Sequence, residues 1–166
     1  QLVRDTATGL VSARLTNAGR VESKGVEADL QAAPYRGLSI TGGIGYNKAV
    51  YTSFPDGGGV GINFTGNRLI EAPRWTVSST ATYEFAINDA WTADASLTYT
   101  HKSKTYADPS NALRFLQDPF DLVNGQIGFG KEDESFRVSL FGRNLFNKKY
   151  AEARFSTALS YNYVTY

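Results

Sequence analysis

The chain has 166 residues, of which ten are Tyr, ten are Phe, 16 are Gly and none is Cys. Aromatic residues suit pleated strands and Gly suits turns, so this composition is typical of an all-β protein. The 17 basic and 16 acidic residues are spread along the chain and leave a net charge of +1. The chain has no basic stripe of the kind that indicates a nucleic-acid partner. The lack of Cys excludes disulfides and thiolate metal sites.

Apolar and polar residues alternate with a period of two along most of the chain, which predicts strands with two unlike faces. Residues 1–4 are expected to end an earlier strand, and residues 5–19 to form a long loop. Further strands are expected near 20–33, 38–51, 75–85, 91–106, 120–131 and 135–144, with another near 155–163. In the strand 38–51, for example, Leu38, Ile40 and Ile44 alternate with small or polar residues.

The connections between these strands alternate in length. Short breaks fall at 34–37, around 88–89 and at 131–135, whereas long ones fall at about 53–73, about 107–119 and after 144. Short periplasmic turns and long extracellular loops are typical of transmembrane β-barrels. Tyr83, Phe85 and Trp91 flank one short turn, and Trp75 lies about ten residues away, the length of a tilted spanning strand.

The predicted fold is therefore all-β: an antiparallel transmembrane β-barrel segment with short periplasmic turns and long extracellular loops. About seven strands are visible, whereas a closed bacterial barrel needs an even number of eight or more. We therefore expect the chain to be part of a larger barrel.

Four segments resemble the C-terminal part of a TonB-dependent outer-membrane receptor. They are residues 17–30, with Gly25-Val26-Glu27, residues 66–75, residues 120–128 and residues 138–150. The last is the most specific, because its Asn144-Leu145-Phe146-Asn147 resembles the exit of the family's penultimate strand. The segments occur in the family's order and cover most of positions 17–150.

The resemblance implies that residues 1–166 are the C-terminal part of a receptor barrel in the bacterial outer membrane, without the N-terminal plug domain. Such receptors use energy from TonB to import scarce solutes such as iron–siderophore complexes, and they are not enzymes. The implied partners are outer-membrane lipid and lipopolysaccharide, the plug domain and TonB through the missing N-terminal part, and a small solute such as a metal chelate. The sequence does not identify that solute.

The binding candidates are Tyr51, Arg68 and Tyr106, which are expected near the outer mouth of the barrel. With Lys102 and Lys104 they would meet an anionic ligand or lipopolysaccharide phosphates; the alternative is a solvated rim.

No catalytic residue, metal site or cofactor is predicted. His101 is the only histidine, which rules out a histidine cluster for metal, and its phase places it at the outward rim. Glu27 and Asp29 are explained by a hydrated lumen face. The glycine-rich run 56–61 opens no helix, so it does not predict a phosphate-binding loop.

Two other interpretations remain open from the sequence. A small complete outer-membrane barrel would act as a structural or adhesion protein. A soluble β-sandwich would bury both sets of aromatic residues between two sheets and bind a ligand, for example a carbohydrate.

Overall fold

The computed structural model describes residues 2–4, 11–13, 19–59, 61–151, 153–155 and 163–165, with side chains over 19–59 and 61–151. The described residues contain twelve strands and one 3-10 helix. In chain order they are β1 (Leu2–Arg4), β2 (Val11–Ala13), β3 (Arg20–Tyr35), β4 (Leu38–Ser53), β5 (Trp75–Asn88), β6 (Trp91–Lys102), β7 (Thr105–Tyr106), the 3-10 helix (Leu113–Phe115), β8 (Leu116–Gln117), β9 (Phe120–Lys131), β10 (Arg137–Gly142), β11 (Ala153–Phe155) and β12 (Tyr163–Thr165).

The main structure is one six-stranded antiparallel sheet with the order β10-β9-β6-β5-β4-β3. Each long strand pairs with the next long strand in the chain, so the sheet is a simple meander. The pairs β1–β2, β7–β8 and β11–β12 lie outside it. No helix among the described residues is long and apolar enough to cross a membrane.

Strand register gives the sheet two unlike faces, because residues directly opposite each other share a face. One row crosses five strands as Leu38, Tyr83, Ala95, Ile127 and Leu140. Ile127 is 58% exposed and Leu140 70% exposed. We call this side the apolar face.

The opposite side of the sheet, the polar face, carries rows of hydroxyl and amide groups. One row is Thr41, Thr80, Thr98 and Asn124, and the hydroxyls of Thr80 and Thr98 lie 3.0 Å apart. No second sheet covers either face within the described residues. The described part of the chain is therefore not a β-sandwich.

One end of the sheet, the turn end, holds the short connections. Arg36 and Gly37 form a two-residue turn in which Gly37 has a φ of 81°, a conformation that favours glycine. Asp89 and Ala90 form another, and residues 132–136 form the third. The three short breaks predicted from the sequence are thus confirmed.

Aromatic rings line the apolar face near both ends. At the turn end, Tyr83 stacks on Phe85 with ring centroids 5.6 Å apart, and Trp91 stacks on Phe129 at 4.7 Å. At the other end, the loop end, Trp75 packs against Tyr46 at 4.8 Å. The predicted placement of the aromatic residues at two opposite rims is confirmed.

The predicted strand 91–106 is too long, because β6 ends at Lys102. Ser103 closes the strand: its backbone N–H donates to the carbonyl of Trp75 at 2.9 Å, and its hydroxyl accepts the N–H of Trp75 at 2.9 Å. Thr105 and Tyr106 then pair with β8 instead of with the main sheet.

The predicted strand 135–144 is also too long, because β10 ends at Gly142. Asn144 follows with a φ of 48°, which leaves the strand conformation. Its side chain accepts the N–H of Lys148 at 2.8 Å and donates to the carbonyl of Lys148 at 3.0 Å. These two hydrogen bonds, together with the tolerance of Asn for a positive φ, explain why Asn occupies the exit of the strand.

The ends of the chain differ from the simple prediction. Strand β2 lies inside the predicted loop 5–19. Residues 5–10 and 14–18 of that loop lie outside the described part of the chain. Most of the predicted strand 155–163 also lies outside it, and its two ends, Phe155 and Tyr163, are partners in the antiparallel pair β11–β12.

Candidate functional site

The first long connection, residues 54–74, folds back along the loop end of β4. The N–H of Tyr51 donates to the carbonyl of Asn67 at 2.9 Å, and the N–H of Leu69 donates to the carbonyl of Ala49 at 3.0 Å. Val50 and Arg68 form an antiparallel bridge. The connection therefore extends the sheet beyond Trp75, where β5 begins.

Aromatic residues fill the space beneath this connection. Tyr51 packs on Phe54 with ring centroids 4.9 Å apart, and Phe54 meets Phe64 edge-on at 5.8 Å. The buried hydrophobic residues of the described chain all belong to the loop end or its connections: Ala49, Tyr51, Phe54, Phe115 and Phe120. The buried apolar core of the described residues therefore lies at the loop end, beneath the long connections, and not on the faces of the sheet.

The second long connection, residues 103–119, is hydrogen-bonded to the first. Asn111 and Arg68 form a reciprocal pair, in which the Arg68 N–H donates to Asn111 Oδ1 at 2.8 Å and Asn111 Nδ2 donates to the Arg68 carbonyl at 3.1 Å. Asn67 Nδ2 donates to the Pro109 carbonyl at 2.8 Å. The N–H of Glu71 donates to the carbonyl of Tyr106 at 3.0 Å. These contacts join the two connections into one unit, which we call the loop cap.

Arg68 is central to the loop cap. Its Nη2 donates to the carbonyls of Lys104 at 2.9 Å and of Ala72 at 3.2 Å, and its guanidinium lies 5.7 Å from the ring centroid of Tyr106. Burial lowers the pKa of Arg68, the charge of Arg74 lowers it further, and Tyr106 raises it. A guanidinium stays protonated despite such shifts, so Arg68 remains a positive charge held by carbonyl groups.

The three predicted binding residues therefore meet in one region, in different surroundings. Arg68 and Tyr106 contact each other between the two connections. Tyr51 lies beneath them, only 4% exposed, because residues 54–74 cover it. The sequence did not reveal this covering, since it depends on contacts between distant parts of the chain.

A groove of about 330 Å³ lies on the polar face below the loop cap. Its floor is the backbone of Gly43 and Gly45. A Cβ at Gly43 would lie 2.8 Å from Asp29 Oδ1, and one at Gly45 would lie 3.0 Å from Thr76 Oγ1. Polar side chains line the groove on both sides: Glu27, Asp29, Thr76, Ser78, Thr100 and Lys102.

The groove combines opposite charges with hydroxyl groups. Within the described residues, neither Glu27 nor Asp29 forms an ion pair, and neither does Lys102. Free carboxylates, an ammonium group and hydroxyls together suit a hydrated passage or a polar solute. The sequence indicated Glu27 and Asp29 on this face, but it did not reveal that two glycines would form the floor.

Nearer the turn end, the polar face holds an ion pair across three strands. Arg137 on β10 reaches Asp94 on β6 over Gly128 of the intervening strand β9. A Cβ at Gly128 would overlap Asp94 Oδ1, so any side chain at this position would displace the carboxylate of the pair.

His101 lies on the apolar face at the loop end, as its phase predicted. Its Nδ1 is 2.8 Å from Asp121 Oδ1, which also accepts the hydroxyl of Tyr99 at 2.6 Å. No group of three or more potential metal ligands occurs among the described residues.

Comparison with known proteins gives a consistent picture. The family model described as TonB dependent receptor-like, beta-barrel matches residues 1–145. The ferric yersiniabactin uptake receptor FyuA from Yersinia pestis has a similar fold, with a TM-score of 0.71, 16% identity and coverage of 87% of this chain and 21% of that one. BauA, the ferric preacinetobactin receptor from Acinetobacter baumannii, has a TM-score of 0.67, 18% identity and coverage of 87% and 20%. The chain thus spans about a fifth of the length of these receptors.

Proposed function

The chain belongs to the TonB-dependent receptor-like β-barrel family, and from that premise we propose that it forms part of an outer-membrane receptor that imports a scarce solute with energy from TonB. This family consists of receptors and not of enzymes, and the resemblance stated from the sequence is confirmed. A small complete barrel is disfavoured, because the chain matches about a fifth of much longer receptors.

The observation that carries the proposal is the division of one sheet into an exposed apolar face and a polar face. In a membrane barrel the apolar face contacts lipid and the polar face lines the interior. Trp75 and Phe85 lie ten residues apart on β5, about 34 Å along the strand. If the strand is tilted by about 40°, as in membrane barrels, this separation corresponds to about 26 Å along the membrane normal. The apolar band of outer-membrane proteins is about 25 Å tall, so the two lengths agree.

We infer that the loop cap forms part of the outer mouth. Arg68 and Tyr106 would face the arriving solute, and Tyr51 would support them from below. The groove between Asp29 and Lys102 would then line the path inward. An iron–siderophore complex is the proposed solute class, since FyuA is named as an uptake receptor for ferric yersiniabactin and BauA as the receptor for ferric preacinetobactin.

The remaining partners follow from the same proposal. The plug domain would occupy the space in front of the polar face, and TonB would act through the plug. Lipid and lipopolysaccharide would contact the apolar face in the outer membrane.

The test is uptake of radioactive iron supplied as a defined siderophore panel, in cells that express the full-length receptor. We expect the cells to take up one of the iron complexes, and we expect that uptake to disappear in cells that lack TonB. Matched variants Arg68→Gln and Arg36→Gln separate the loop cap from the turn end, and only the first is expected to reduce uptake. Uptake independent of TonB, or fractionation of the protein away from the outer membrane, would refute the proposal.

A further inference from the structure

Two lysines face each other on the apolar side of the sheet at the loop end. Lys24 on β3 is directly opposite Lys48 on β4, and both are exposed. The next pair on the same face is Val26 with Tyr46, so the lysines follow the apolar surface without interruption. Like charges directly opposite in a sheet repel each other.

The negative charge within the described residues does not balance this pair. Lys24 Nζ lies 3.0 Å from Glu22 on the same strand, whereas Lys48 forms no ion pair with any described residue. The three residues together carry one net positive charge, from two ammonium groups and one carboxylate. An anion from outside the chain would relieve the repulsion.

The position of the pair along the membrane normal indicates which class of anion it would meet. Tyr46 and Trp75 form the aromatic contact at the loop end, and aromatic rings of this kind mark the membrane interface. Lys48 is two residues beyond Tyr46, which corresponds to about 5 Å further along the membrane normal for a tilted strand. Charged headgroups occupy that level, immediately outside the hydrocarbon core.

We propose that Lys24 and Lys48 bind the phosphate of an anionic lipid headgroup in the outer leaflet, with Tyr46 and Trp75 packed below it. The proposal rests on the proposed function, because that function places the apolar face in the membrane. Two flexible ammonium groups converge readily on one phosphate, and the aromatic rings supply a surface at the interface. A transported solute is the wrong occupant, since it would travel along the opposite face.

The test uses the full-length receptor in detergent, mixed with equal amounts of bisphosphorylated lipid A and phosphatidylcholine, and native mass spectrometry counts the lipid retained. Each lysine near an anionic lipid contributes about five-fold in affinity. Lys48→Gln should therefore retain about five-fold less lipid A, and the double variant Lys24→Gln/Lys48→Gln about 30-fold less. The double arginine variant should retain lipid A like the unchanged receptor.

Lys131→Gln is the matched control, because Lys131 is exposed at the turn end, and its retention should not change. The proposed lipid site would be overturned if the double glutamine variant retained as much lipid A as the unchanged receptor. It would also be overturned if millimolar inorganic phosphate displaced the lipid A. Iron uptake and membrane fractionation in the same strains test the proposed function separately. A receptor that still imports its solute while all variants retain lipid A equally would disprove only the lipid site.

Discussion

Replacement of Asn111 tests whether the two long connections act as one unit. The Asn111 side chain exchanges two hydrogen bonds with the backbone of Arg68, and its own backbone has a φ of 55°. Loss of two hydrogen bonds costs about 2 kcal/mol. An alanine in the left-handed conformation adds about 1 kcal/mol.

Asn111→Ala should therefore weaken the loop cap by about 3 kcal/mol, whereas Asn111→Gly should weaken it by about 2 kcal/mol, because glycine tolerates the left-handed backbone. Hydrogen–deuterium exchange at the Arg68 amide measures this directly, since that amide is held by Asn111 Oδ1. Exchange should accelerate about 150-fold for the alanine variant and about 30-fold for the glycine variant.

Asn63→Ala is the matched control. Asn63 accepts the N–H of Thr65 within its own connection at 2.8 Å and forms no hydrogen bond to residues 103–119 in the described part of the chain, so exchange at Arg68 should stay unchanged. Unaltered protection of the Arg68 amide in both Asn111 variants would refute the idea that this side chain joins the two connections.

Three further predictions concern the sheet and its turns. Gly128→Ala should separate Asp94 from Arg137 and destabilise the folded barrel by about 1–3 kcal/mol, measured by urea unfolding in lipid; Ser139→Ala is the control, and equal stability of both variants would contradict the steric argument. Leu97→Arg, on the apolar face, should cost about 2–4 kcal/mol in lipid, and Thr98→Arg, on the polar face, much less; equal costs would contradict the assignment of faces. The hydroxyl of Ser135 and then its N–H lower the pKa of Asp133, so the small stabilisation from this turn is complete above the ordinary pKa and disappears as the pH falls through the lowered pKa. Ser135→Ala should raise that pKa toward its ordinary value in an NMR titration, and an unchanged titration would contradict the hydrogen-bond cause.

The faces and short turns of the sheet could be predicted because they depend on local features. A period of two assigns Leu97 and Thr98 to opposite faces whatever the rest of the chain does. Gly37 likewise marks its turn through its own backbone preference. The resemblance at Asn144 located a strand exit. The end of β10 at Gly142, however, became clear only from the structure, in which the Asn144 side chain is hydrogen-bonded to the backbone of Lys148.

The loop cap could not be predicted, because its contacts join residues far apart in sequence. Arg68 and Asn111 are separated by 43 positions, and neither residue type indicates the other. Tyr51 looked like a binding residue at an open mouth because the alternation does not reveal what covers a strand end. The groove depends in the same way on Gly43 and Gly45 lying between the carboxylates of β3 and the hydroxyl groups of β5.

The central claim is that the apolar face contacts lipid and the polar face contacts water. The chain has no cysteine, so Ile127→Cys and Gln126→Cys each introduce one thiol into this segment. Each thiol carries a spin label in the receptor reconstituted in lipid, after any cysteine elsewhere in the receptor has been replaced by serine. The label at position 127 should be accessible to oxygen and protected from a water-soluble nickel chelate, and the label at position 126 should show the reverse. Similar accessibility at both positions, or the opposite pattern, would contradict the assignment of the two faces.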